Sequence, residues 1–449
     1  MKDRDKLFWI WLAQALKPAN AYTGRLLSLY ENPYDLFEAN ETELEQLHDI
    51  PERLRISLCN KSLQEASEIL DTCERRGITV LHYADAEYPR FLRGLNDPPI
   101  VLYCIGKIPD WNTILCVAMV GTRKMSAYGL HSAYRIAYKA TKMGMLVVSG
   151  MATGIDGVCS AAALAAGGET VAVLGCGVDV VYPKHHGNLY DAICKNGVVI
   201  SEYPPGTGPR GFRFPERNRI ISGLSQATVV LEAGLGSGSL ITAKDAIMQG
   251  RDVYALPANV GSEGAEGTNG LLRDGVPPIT SAENLLERYR HVYEKTLRVD
   301  ETFPKDEDIA VDLHLLQELG VIELTERAKA QSNTPNAAAV NLETQRQLNP
   351  NKAEVRRVTK KKRESGKGAK TDDAPNTAAS SKASSADALF SSLDPISQTV
   401  LRAIPDDTAV SLDDLRSLEY PYGDIVSALT ILEINGLLQK LPGALYVKL

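Results

Sequence analysis

Between Arg213 and Arg219 the chain sets three guanidiniums, an aromatic ring and an amide within seven residues, Arg213-Phe214-Pro215-Glu216-Arg217-Asn218-Arg219. The net charge is −7, so this concentration of positive charge is local. Guanidinium forks match phosphate oxygens with paired N–H donors, and a ring beside them offers a face on which a base can stack. An apolar run, Ala227 to Leu231, follows closely, and then Ser237-Gly238-Ser239-Leu240-Ile241-Thr242. Small residues at such a turn let main-chain N–H groups approach the same anion. The residue types and their spacing point to a groove for a phosphate chain.

Elements are needed to hold these groups together. From Cys116 to about Tyr289 the pattern alternates strand and helix, with candidate strands at Val117–Val120, Leu146–Ser149, Thr170–Leu174, Val198–Ser201, Thr228–Leu231 and Val253–Leu256. Each is a short, continuous apolar run, as expected of strands buried on both faces. Helical spacing in Leu130–Met143, Ile155–Ala166 and Leu240–Gln249 falls between them, which predicts a parallel sheet wrapped by helices. In such a sheet the ligand lies beyond the carboxyl ends of the strands. The loops there are Gly121-Thr122-Arg123-Lys124, Ser149-Gly150-Met151-Ala152-Thr153-Gly154, Gly175-Cys176-Gly177, Ser201-Glu202-Tyr203-Pro204 and Glu232-Ala233-Gly234-Leu235-Gly236-Ser237. Most are rich in Gly or Ser and lead to a helix N-terminus, so N–H donors and positive dipole ends gather on one rim.

Catalytic constellations are sparse. The chain has no G-x-x-x-x-G-K-[ST], so that nucleotide-binding fingerprint lends no support to ATP hydrolysis. No Cys/His cluster has metal-ligand spacing. Asp156 reads as a helix cap, and His185 and His186 as exposed loop residues. One enzymatic alternative stands. Glu232 could polarise water at a ribose carbon while Arg123 holds a 5′-phosphate, as in nucleoside-monophosphate phosphoribohydrolases. That group's Pro-Gly-Gly-x-Gly-Thr is replaced here by Ala233-Gly234-Leu235-Gly236-Ser237.

At 449 residues the chain calls for more than one domain. Its seven cysteines are odd in number and form no C-x-x-C pair, the usage of free thiols in a cytoplasmic protein. Lys2–Lys6 followed by apolar Leu7–Leu16 has the outline of a secretory leader. Asp3, Asp5 and Gln14 spoil it, and the stretch reads as an amphipathic helix. No run reaches the roughly 20 apolar residues of a membrane span. The expected domains are a helical one over 1–75, with Thr42 capping a helix from Glu43, an α/β one over 76–290, a linker over 291–388, and a terminal domain over 389–449. The linker reads as helical at first, then as an unstructured segment with a basic knot, Arg356-Arg357-Val358-Thr359-Lys360-Lys361-Lys362-Arg363. Three helical patterns and a hairpin at Leu437–Leu449 give the terminal domain a winged-helix outline. Its third helix, Gly423–Ile434, holds two acids and no Lys or Arg, which suits a protein contact better than a DNA groove.

Several motifs in one order resemble the bacterial DNA-processing proteins of the DprA/Smf family. They are Val120-Gly121-Thr122-Arg123, Ser149-Gly150-Met151-Ala152-Thr153-Gly154-Ile155-Asp156, Val173-Leu174-Gly175-Cys176-Gly177-Val178-Asp179, Tyr182-Pro183, Ser201-Glu202-Tyr203-Pro204, Phe214-Pro215-Glu216-Arg217-Asn218-Arg219-Ile220-Ile221, Ser237-Gly238-Ser239-Leu240-Ile241-Thr242-Ala243 and Gly267-Thr268-Asn269. The resemblance implies an extended Rossmann-like sheet with an N-terminal sterile-alpha-motif or helix-hairpin-helix module. It also implies a homodimer through the Rossmann domain that binds and protects single-stranded DNA, without ATP or another cofactor, and helps load the RecA recombinase during DNA uptake and recombination. The implied phosphate pocket falls on Gly121, Thr122 and Arg123 beside Ser149, Gly150, Met151, Ala152 and Gly154. The implied groove falls on Phe214, Arg217, Asn218 and Arg219, and the reading of the residues adds Arg213, Ser237, Gly238 and Ser239. The chain departs from the family pattern at Cys159-Ser160, where Ala-His is usual, at His186, where Asn is usual, and at Ala258, where Gly is usual. The hairpin at Asp49-Ile50-Pro51 lacks the glycine of a DNA-gripping module.

Overall fold

The computed structural model describes residues 2–262, 264–298 and 302–323 and, near the C-terminus, 395–405 with parts of 410–448. Two compact units result, Met1–Val355 and Arg356–Leu449. The basic knot at 356–363 and most of the expected helix at 423–434 lie outside the described residues.

The first unit opens with six helices, α1 (Lys2–Leu16), α2 (Thr23–Leu29), α3 (Pro33–Glu38), α4 (Glu41–Glu45), α5 (Glu52–Cys59) and α6 (Gln64–Arg75). Trp9, Ile10, Trp11 and Leu12 of α1 are buried against the others. The cap of α4 is Asn40 rather than Thr42. Its side chain accepts from the Glu43 amide, and the Glu43 carboxylate accepts from the Asn40 amide, which satisfies two orphan donors reciprocally.

An eight-stranded sheet follows: β1 (Thr79–His82), β2 (Val101–Gly106), β3 (Cys116–Gly121), β4 (Leu146–Ser149), β5 (Thr170–Val173), β6 (Val198–Ser201), β7 (Ala227–Glu232) and β8 (Asp252–Ala255). Their spatial order is β1-β2-β6-β5-β4-β3-β7-β8. From β6 to β8 all pairs are parallel, as the Val-rich runs predicted, whereas β1 and β2 form an antiparallel edge. A short α7 (Arg90–Arg93) precedes β2. The crossovers carry α8 (Ala127–Lys142), α9 (Ile155–Ala165), α10 (Gly187–Asn196), α11 (Arg213–Leu224) and α12 (Gly238–Met248), and α13 (Glu266–Arg273) and α14 (Glu283–Tyr289) come after β8.

Alternation along β3 divides the core in two. Cys116, Ala118 and Val120 pack with Ile220, Ile221 and Leu224 of α11 and Ala243 and Ala246 of α12. Val117 and Met119 pack with Ala133 and Ala137 of α8 and Val158 and Ala162 of α9. The chain winds outward from β3 to β6 and then returns to place β7 on β3's other side. The crevice at the ends of β3 and β7 is therefore the topological switch point, where ligands bind in open α/β sheets.

Residues 302–323, expected within the linker, include α15 (Leu313–Glu318) and bury Ile309, Leu316, Leu319 and Val321 against the α8–α9 side of the core. In the second unit, α16 (Pro395–Ala403) stands with a three-stranded sheet of β9 (Val410–Ser411), β10 (Leu438–Leu441) and β11 (Leu445–Lys448), ordered β10-β11-β9. Val400, Ile404, Leu429, Leu432 and Leu438 form its core.

Candidate nucleic-acid interface

A groove of about 960 Å³ opens at the switch point. One wall is the loop after β3, with Gly121, Thr122, Arg123 and Lys124, and the other is the turn from β7 into α12, with Gly234 to Ser239. Its floor is α11, which presents Phe214, Arg217 and Asn218, and Arg210 stands in the loop before that helix. Four cationic side chains (Arg123, Lys124, Arg210 and Arg217) thus face one carboxylate, Asp156, in a chain whose net charge is negative.

The charges differ in kind. Arg123 and Lys124 are exposed. Arg217 is only 5% exposed, and its Nη1 donates to the carbonyls of Gly150, at 3.0 Å, and Val173. Burial lowers its pKa, and Asp156 opposes that shift. Asp156 is held by main-chain donors. Its Oδ2 accepts from the Gly150 amide at 3.1 Å, while burial raises its pKa and Arg217 opposes the rise. The carboxylate therefore ties the β4–α9 loop together and is not the side-chain cap of α9. Arg217 is the fixed base of the groove, and Arg123 and Lys124 are its free cations.

Phe214 lies between aromatic and cationic neighbours. Its ring is 5.2 Å from that of Tyr182, and the Arg123 guanidinium lies 5.7 Å from the Phe214 centroid. A recess of about 40 Å³ beside these rings is lined by Gly150, Ala152, Thr153, Gly175 and Tyr182 among others. At the far wall the Gly238 and Ser239 amides at the start of α12 precede its first intrahelical bonds, while the Leu240 amide donates to Ser237 O at 3.0 Å. Ser237 makes no side-chain cap there, its Oγ lying instead 2.8 Å from Ser239 Oγ. That helix end offers N–H groups and positive dipole to an anion.

The structure brings Gly121, Thr122, Arg123, Ala152, Phe214, Arg217, Asn218, Ser237, Gly238 and Ser239 to one groove, with Gly150 in the adjoining recess. It corrects other expectations. Arg219 lies two residues beyond Arg217, about 200° around the helix, and so points away. Its Nε meets Asp97 at 2.9 Å and its Nη2 meets both Glu202 oxygens at 2.9 and 2.8 Å. Burial disfavours that charge, but Glu202 and Asp97 outweigh it and raise the pKa. Arg213 sits over the Tyr203 ring, 5.0 Å from its centroid, and donates to Gly208 O, so it is not part of the groove wall. Ser149 is fully buried and donates to Met119 O at 2.7 Å, and Met151 is fully buried as well. Gly154, at φ +88°, is where the β4–α9 loop crosses the β3–α8 loop, and a Cβ there would lie 2.8 Å from Arg123 O. These three support the wall without forming it. The Thr122 amide is occupied by Glu232 O at 2.7 Å, which leaves the Arg123 and Lys124 side chains as that loop's anion donors.

Glu232 does not line the groove. Its oxygens accept from the Ser126 amide, the cap of α8, at 3.2 and 3.0 Å, and burial raises its pKa. His186 is likewise not an exposed loop residue but a buried one. Sequence reasoning did not single out Arg210, and it gave no groove role to Tyr182, quoted only within a motif, or to Leu235, quoted only within a rim loop and 78% exposed on the groove lip. Arg210 stands in a Gly-Pro-Arg-Gly loop with no periodic signal to assign it a face. Among the described residues no helix is long and apolar enough to cross a membrane, and no group of His, Cys, Asp and Glu could hold a metal ion.

A sequence profile described as DNA recombination-mediator protein A matches residues 79–290. The DNA processing protein DprA of Bacillus subtilis is 37% identical over 219 residues, spanning 49% of this chain and 74% of that protein. The Streptococcus pneumoniae protein of the same name is 40% identical over 202 residues, spanning 45% and 71%. The X-ray structure of the pneumococcal protein superposes with a TM-score of 0.54 at 31% identity, covering 62% of this chain and 97% of that one.

Proposed function

This chain belongs to the DprA/Smf family of DNA-processing recombination mediators, and from that premise we propose that its switch-point groove binds single-stranded DNA. The observation that carries the reading is Phe214 sharing a groove of about 960 Å³ with four cations. Arg123, Lys124 and Arg210 take backbone phosphates, the amide end of α12 at Gly238 and Ser239 takes another, and Phe214 with Tyr182 stacks on unpaired bases. Arg217 holds the floor. Stacking of this kind contributes about 1–3 kcal/mol per base.

The family's designation as a recombination mediator supports the wider reading. The protein covers and protects an unpaired strand in the cytoplasm and helps a RecA-type recombinase to load on it, during DNA uptake and recombination. It acts as a homodimer through the Rossmann-like domain, without ATP, metal or catalytic turnover. The helices over 1–75 and a winged helix over 389–449 are accessory modules. The commitment of Glu232 to the cap of α8 weighs against the phosphoribohydrolase alternative.

The test is fluorescence anisotropy with labelled oligo-dT and a duplex of equal length. The strand is expected to bind at least tenfold more tightly. Equal affinity for the two contradicts the proposal.

A further inference from the structure

The β4–α9 loop turns beneath the groove through a residue in left-handed conformation that is not glycine. Met151 has φ +53°, and its side chain is fully buried. Such a conformation disfavours any residue with a Cβ and persists where neighbours over-determine it. The neighbour here is His186. Its Nδ1 lies 3.1 Å from Met151 O, and its imidazole is fully buried. Burial lowers the ring's pKa to about 4, so near neutral pH it is uncharged, and facing a carbonyl it carries its proton on Nδ1 and donates. On either side of Met151, Gly150 and Ala152 line the groove and its recess.

His186 is in turn enclosed by the segment 302–323. At Gly157 of α9 a Cβ would stand 2.9 Å from His186 Cε1 and 3.3 Å from Val321 Cγ1, so helix, imidazole and segment meet at one point. Gly320, at φ +74°, lies so close against His185 O that any Cβ there would collide with it. Asn188 Nδ2 donates to Glu318 O at 2.6 Å. Further back, Lys139 Nζ pairs with Asp306 at 2.9 Å and Arg135 Nε donates to Ile309 O at 3.2 Å, so the segment is fastened along α8 as well.

We propose that His186 is a positioning residue for the groove-facing loop Gly150–Thr153, and that residues 302–323 form the strap that seats it. The inference rests on the DNA-binding reading above for its consequence, though not for its geometry. An Asn amide at this position can donate the same bond to Met151 O.

The full chain is compared with H186N, H186L and G320V by oligo-dT anisotropy over a salt series, with thermal melts and amide hydrogen exchange. H186N is expected to bind within about threefold of wild type. H186L and G320V should bind at least tenfold more weakly, with a shallower dependence of log Kd on log salt. Amides of 150–154 should exchange faster in both. A lowered melting temperature in H186L with unchanged affinity, salt slope and loop exchange reduces His186 to a packing residue and overturns the proposal. The same result for G320V alone removes the strap from it. A wild type that ignores oligo-dT overturns the DNA reading instead, and loop exchange then still decides the positioning claim.

Discussion

Arg217 and Arg219 are two residues apart, yet one belongs to the groove and the other to an ion cluster on the opposite side of α11. Each loss has its own signature. Arg219→Ala leaves Glu202 and Asp97 without their cation, and breaking a buried pair in this way costs about 3–5 kcal/mol. Denaturant melts should register that loss, while oligo-dT affinity per folded molecule stays unchanged. Arg123→Ala removes an exposed cation, so its melts should match wild type while affinity falls at least tenfold. The cation cluster was legible in the sequence, but its division was not. Pro215 near the start of α11 obscured the helix, and without a helix there is no 100° step to separate Arg217 from Arg219. His186 was read as exposed for a related reason, since polar neighbours gave no sign that the strap covers it. Its folded pKa, about 4, lies below its unfolded value of 6.5. The native state therefore resists a proton that the unfolded chain accepts. The stability this represents is complete above pH 6.5 and is lost as pH falls toward 4. Wild type should accordingly lose more stability than H186N between pH 7 and pH 5 in matched thermal melts.

Among the elements, the central strands were the most legible. β4 to β7 are buried along their whole length, so nothing in them alternates, and a short Val-rich run has little else to be. The strap was the least legible. A helical start to the linker was expected, but α15 is six residues long and buries one of them, too little to mark a face that packs on the core. The turn after β7 was located correctly, but the role of Glu232 was open until its oxygens were found at the Ser126 amide. That contact makes Glu232 an anchor for α8. Glu232→Gln should lower the melting temperature, because a neutral amide meets the helix end less well than a carboxylate does. It should leave oligo-dT binding intact and reveal no loss of base release from nucleoside monophosphates. A fall in such release would instead favour the enzymatic alternative.

For the whole molecule, charge is the governing quantity. The chain is acidic overall, yet the switch-point groove sets four cationic side chains against one carboxylate. Composition alone would have argued against a DNA ligand. What reverses that argument is the topology, which turns the β3–α8 loop, α11 and the start of α12 toward one another at the switch point. The salt dependence of oligo-dT affinity tests this most directly, measured for wild type and for a chain with Arg123, Lys124 and Arg210 all changed to Ala. Three phosphate-binding cations on a single strand predict a slope of log K against log salt of about −2 for wild type, and a nearly flat one for the triple variant. A flat wild-type slope, or an equally steep slope in the triple variant, would contradict the groove as the place where the strand is held.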